Sequence, residues 1–169
     1  MRVIYLALVP FLALAACSNP GGGFGGGPLG GGSSWDDSSA NAEDQSDPTS
    51  QGFFETSVGN QVLFDVDEFT LNTASKVALD IQAQWLMDNP GYVIIVEGHA
   101  DEQGTREYNL ALGFRRAQSV QEYLVARGVS GLRLKTRSYG KERPLEICSA
   151  ERCYAKNRRA VTLLTAGLS

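Results

Sequence analysis

The chain has 169 residues, enough for one domain with appendages. Hydrophobic residues make up 43% and charged residues 20%, which is ordinary for a globular protein. A net charge of −4 excludes a polycation built to grip nucleic acid. The acidity is local. Between residues 18 and 52 the ionisable side chains are Asp36, Asp37, Glu43, Asp44 and Asp47, all acids. Every basic residue except Arg2 lies beyond that stretch, beside a matching number of acids.

In chain order the first element is a targeting segment. Arg2 supplies a positive start and residues 3–16 a short apolar run, too short to span a bilayer. It ends in Leu14-Ala15-Ala16-Cys17, which resembles the lipobox of bacterial lipoproteins. The resemblance implies cleavage after residue 16, acylation of Cys17 and an oxidising envelope compartment. Each buried methylene contributes about 0.8 kcal/mol, so two or three acyl chains hold firmly where one holds marginally. Ser18, in place of the Asp that favours inner-membrane retention, points to the outer membrane. Residues 17–52 continue as a Gly-rich and then acidic tether with no apolar periodicity.

From residue 53 to residue 169 the pattern is that of a folded domain. Residues 61–64 read as a strand. Asn72 or Thr73 caps a helix whose apolar positions are Ala74, Ala78, Ile81 and Trp85, stopped by Asn89-Pro90-Gly91. The β-branched run 92–96 reads as a central strand covered on both faces. Thr105 caps a second helix, with stripe Leu110, Ala117, Val120 and Leu124, ending at Gly128. Residues 132–138 alternate as a strand, 150–156 form a short helix, and 160–164 a last strand. The order β-α-β-α-β-(α)-β predicts an α+β sandwich, with helices packed on one mixed parallel/antiparallel sheet.

Five ordered blocks then carry a family resemblance: Glu97-Gly98-His99-Ala100-Asp101, Tyr108-Asn109-Leu110, Arg115-Arg116-Ala117, Ser138 through Pro144, and Asn157-Arg158-Arg159-Ala160-Val161. Together they resemble the OmpA-like peptidoglycan-binding domain, over nearly all of residues 53–169. That resemblance implies a noncatalytic binder of the diaminopimelate-containing stem peptide, needing no cofactor. It also implies pairing with TolB and other proteins of the Tol system, in support of envelope integrity and cell division. Asp101 is implied to take the ligand's ammonium and Arg116 its carboxylate. Phe64 and Asp65 are placed at the rim, with Asn157 and Arg158 closing the pocket. Residue spacing agrees in part: Asn109, Leu112 and Arg116 share one helix face at i, i+3, i+7. Arginine's planar fork suits a carboxylate. Alanine at either charged position is expected to abolish binding in a folded domain.

Two other readings need weighing. Glu97, His99 and Asp101 alternate, so one strand face could hold a metal for a wall-cleaving hydrolase. Against it, the chain has 1 histidine and no cysteine pair at metal-binding spacing with it, so a packed, hydrogen-bonded His99 is favoured. Cys148 and Cys153, in an oxidising compartment, are expected as a disulfide set apart from Asp101, with two free thiols as the alternative.

Overall fold

The computed structural model describes residues 45–166. The targeting segment, Cys17 and most of the expected tether lie outside the described residues. Among those described, no helix is long and apolar enough to cross a membrane.

Four strands, β1 (Gln61–Leu63), β2 (Tyr92–His99), β3 (Leu134–Gly140) and β4 (Arg159–Ala166), form one sheet in the order β1-β4-β2-β3. β4 runs antiparallel to both β1 and β2, while β2 and β3 are parallel. The parallel pair requires a crossover, and α2 (Arg106–Ala126) supplies it. Helix α1 (Thr73–Asp88) links β1 to β2, and the short α3 (Glu151–Asn157) precedes β4. The expected mixed sheet with packed helices is what the chain forms.

The helix ends follow local chemistry. Asn72 accepts from Ser75 N at 2.9 Å, and Thr105 from Tyr108 N at 3.2 Å. Gly128 follows α2 at φ +105°, the left-handed geometry that stops helices. The core gathers Leu79, Ala83 and Leu86 of α1, Ala117, Val120 and Leu124 of α2, and Ile94 and Val96 of β2.

Several expectations are corrected here. Ile81 is 54% exposed and Ala74 is also exposed, whereas Ser75 and Gln82 of α1 are buried. Their polar groups are satisfied: Ser75 Oγ donates to Leu63 O, Gln82 Nε2 to Gly59 O, and Thr162 Oγ1 to Gln82 Oε1. In α2, Leu110 is exposed while Asn109 and Arg116 are buried. Leu132 lies on a 3-10 turn before β3, almost wholly exposed. β2 is covered by helices on one face; Val93 and Ile95 on the other are half-buried. It also runs three residues further than expected. Gly98, which has no side chain to hold α2 away, lies against the backbone of Gly113.

The chain joins this domain at an aromatic clasp. Phe54, Trp85 and Tyr92 pack with their rings tilted, the successive centroids 4.8 and 5.6 Å apart. Trp85 Nε1 donates to Pro48 O and Tyr92 OH to Thr49 O.

Cys148 and Cys153 form the expected disulfide, their Cα atoms 5.9 Å apart, at the start of α3. So small a ring stabilises by about 2 kcal/mol in the loop-entropy account. Reduction is therefore expected to lower the melting temperature by several degrees without unfolding the sheet. Melts with and without reductant check this, and identical curves would show that the bond contributes nothing.

Candidate functional site

Where β2 ends, the chain turns through Ala100 and Asp101 towards the start of α2. A cavity of about 230 Å³ opens there, lined by Val66, Asp67, Asp101, Gln103, Gly104, Tyr108, Asn109, Leu112 and Arg116. Helical register brings Asn109, Leu112 and Arg116 inward, all nearly inaccessible, while Arg115 stays outside and stacks over Phe69 at 5.1 Å.

Arg116 is wholly buried, and among the described residues every hydrogen bond it makes goes to a backbone carbonyl. Nε donates to Glu68 O at 2.7 Å, Nη1 to His99 O at 2.9 Å and Nη2 to Asp65 O at 3.1 Å. The Phe64 ring lies 5.3 Å beneath the guanidinium. Burial presses Arg116 down to about 10, with Asp101 opposing and Arg158 assisting the shift, so the group stays charged at neutral pH. Three of its five N–H bonds go to carbonyls among the described residues, and the other two take no partner there.

Asp101 does not pair with Arg116. Its Oδ2 meets Arg158 Nη1 at 3.2 Å, and its Oδ1 accepts from Gln103 N at 3.3 Å. Arg158 in turn pairs with Glu151 of α3. The pocket thus holds an acid and a base, each gripped from behind by its own partners.

The eight residues expected at the site divide. Asp101, Asn109, Leu112 and Arg116 line the cavity together. Phe64, Asp65 and Arg158 line a neighbouring groove and brace the cavity from outside: ring under Arg116, carbonyl to Arg116, guanidinium to Asp101. Asn157 is wholly buried and holds a loop. Its Oδ1 accepts from Leu145 N and Glu146 N, and its Nδ2 donates to Glu146 O and, at 3.3 Å, to Glu102 Oε2. Val66, Asp67, Gln103, Gly104 and Tyr108 were not foreseen. Tyr108 donates to Asp67 across the mouth. Its position four residues before Leu112 is the signal that would have placed it there.

Two further corrections follow. The disulfide is not set apart from Asp101, because α3 carries Glu151, Glu151 pairs with Arg158, and Arg158 holds Asp101. Nor do Glu97, His99 and Asp101 converge. Glu97 and His99 line a separate cavity with Arg143 and Arg159, while Asp101 lines the one with Arg116. Among the described residues no group of three or more His, Cys, Asp or Glu is placed to hold a metal. His99 is packed, stacked on Tyr139 at 5.6 Å, but its Nδ1 has no hydrogen-bond partner among the described residues.

A two-layer α+β domain with a charged cavity at the end of its central strand has clear relatives. The OmpA family matches residues 63–158. A peptidoglycan-associated lipoprotein of Rhizobium meliloti (strain 1021) is 46% identical, over 95% of this chain and 86% of that protein. One of Mesorhizobium japonicum is 43% identical, over 96% and 91%. In structure, the peptidoglycan-associated lipoprotein of Burkholderia pseudomallei superposes with a TM-score of 0.65 at 35% identity, covering 70% of this chain and all of that one. The C-terminal domain of Helicobacter pylori MotB, at 20% identity and a TM-score of 0.60, shares the fold. The chain belongs to the OmpA family, in its branch of peptidoglycan-associated lipoproteins.

Proposed function

We propose that this chain is a noncatalytic tether. In this reading Cys17 carries acyl chains in the outer membrane, residues 17–52 span the gap, and residues 53–169 grip peptidoglycan in the periplasm. The ligand is the free end of diaminopimelate, an ammonium and a carboxylate on one carbon. One observation carries the reading: Asp101 and Arg116 line the same cavity while each is held by other partners. A pair that neutralised itself would have little left for a zwitterion. Here the Asp101 carboxylate faces the ammonium, and the two spare N–H bonds of Arg116 face the carboxylate. Membrane and wall attachments joined by a linker raise each other's occupancy through effective concentration. The family resemblance supports a further part of the reading, pairing with TolB and other Tol proteins in envelope integrity and cell division.

The test uses the full-length chain in detergent and purified sacculi. Asp101→Asn keeps the shape but removes the charge, leaving the ammonium buried and unpaired. Such losses cost about 2–5 kcal/mol, or roughly 30- to several-thousand-fold in affinity. Circular dichroism confirms folding, and chromatography of the supernatant checks for released muropeptides. Wild-type affinity in a folded Asp101→Asn would sink the site; released muropeptides would sink the noncatalytic reading.

A further inference from the structure

On the sheet face away from the helices lies a second polar cavity, of about 470 Å³, which the proposed function does not use. Glu97 and His99 enter it from β2, two residues apart and so on one face. Arg159 enters from β4, where the register Gly98↔Ala160 sets it beside His99. Arg143 enters from the loop after β3.

Three of these groups, Glu97, His99 and Arg159, are buried yet poorly matched to one another, while Arg143 is exposed. Arg159 is 7% exposed and has no acid within 4.0 Å among the described residues. Its hydrogen bonds are long, 3.5 Å to Asn157 O and 3.4 Å to Arg143 O. Glu97, 8% exposed, stands 4.0 Å from both His99 Nε2 and Arg137 Nη1. His99, 3% exposed, has no hydrogen-bond partner for Nδ1 among the described residues. Burial, with Arg159 and Arg143 adding, lowers His99 to about 4, so the ring is neutral at physiological pH. Burial lowers the Arg159 pKa and Glu97 opposes that only from a distance; burying a guanidinium without a paired counter-charge is costly, and so is burying an imidazole nitrogen without a partner. Their convergence on one cavity supplies donors for an anion and, in Glu97, an acceptor beside them. Arg143 lies over Tyr139 at 3.7 Å, which holds its planar fork at the rim.

We propose that Glu97, His99, Arg143 and Arg159 form a second ligand site that takes the terminal carboxylate of a peptide, with the arginines on the carboxylate and Glu97 on the adjacent N–H. The occupant is the D-alanine end of a wall stem peptide, a choice that rests on the wall reading above. The placement argues for that source. His99 joins the two sites, its carbonyl accepting from Arg116 and its ring lining this cavity, so both open at the same end of β2.

His99 is the chain's 1 histidine, so its ring proton signals in an NMR spectrum report this cavity without ambiguity. The full-length chain in detergent is titrated with N-acetyl-D-alanyl-D-alanine, its C-terminal amide and its L,L isomer. The D,D acid is expected to move the His99 signals saturably, and the amide not to. Arg159→Gln and the exposed Arg143→Gln should each weaken the effect about 10- to 100-fold, the loss of a charged hydrogen bond. Asp101→Asn should keep it, so this site and the wall reading fail separately. No shift, an equal shift with the amide, or wild-type response in folded Arg143→Gln and Arg159→Gln would overturn the site. Stronger response to the L,L isomer would overturn the wall source and point to a protein tail.

Discussion

Arg116→Ala is expected to destabilise the domain by about 3–5 kcal/mol, beyond anything it does to ligand binding. The guanidinium holds three carbonyls from two places in the chain. Asp65 and Glu68 belong to the loop after β1, and His99 closes β2. Truncation takes a donor from all three carbonyls at once, leaving Asp65 O only the Glu68 N–H, and opens space above Phe64. Arg116→Lys is expected to recover less than half of the loss, because one ammonium cannot reach three carbonyls set round a planar fork. Urea denaturation of both variants checks this, and an Arg116→Ala midpoint close to wild type would show that the carbonyls find other donors. A loss of that size would count against the expectation that alanine here leaves a folded domain. It also makes Asp101→Asn the milder probe of the pocket: it breaks the ion pair with Arg158, but Arg158 keeps Glu151 and the amide oxygen can still accept from Gln103 N.

Gly98→Ala should be as damaging for a different reason. A Cβ at residue 98 would lie 1.7 Å from Gly113 O, 2.6 Å from Gly113 C and 3.2 Å from Ala117 N. All three are backbone atoms, so no side-chain rotation relieves the contact. Helix α2 must lift from the sheet, and with it move Asn109, Leu112 and Arg116. Overpacking of this kind costs about 3 kcal/mol or more. Gly91→Ala is the control, since its Cβ would meet nothing within 4 Å. Thermal melts of the two variants should differ widely, and a Gly98→Ala melt close to that of Gly91→Ala would mean that the helix has room to shift.

Residue chemistry made most of the fold legible. Asn72, Thr105 and Gly128 marked helix ends because caps act locally, and the β-branched run from residue 92 marked the central strand for the same reason. The helix faces were harder. Ser75, Gln82 and Arg116 are polar but buried, satisfied by partners far along the chain, and Asn109 is satisfied by the loop before its own helix, so an apolar count points elsewhere. The site shows the same limit. Register alone aligned Asn109, Leu112 and Arg116. No spacing rule announces that Asp101 is held by Arg158, 57 residues away, or that Asp67 crosses to Tyr108. Those contacts come from the sheet order, which sets the end of β1 and the start of β4 at the same edge as the end of β2.

The aromatic clasp and the charged cavity occupy opposite ends of β2, and this gives the domain a mechanical axis. Tyr92 opens the strand and holds Thr49, while Asp101 follows two residues after the strand's last. Eight strand residues span about 25 Å. In the proposed reading, a pull between Thr49 and a ligand in the cavity runs along the central strand. The bonds from β2 to β4 lie across that direction and those to β3 lie slanted to it, so the load falls on both ladders in shear. Rungs loaded in shear yield together, whereas a peeled edge gives way one rung at a time. A tether of the proposed kind would thus be loaded across many rungs at once.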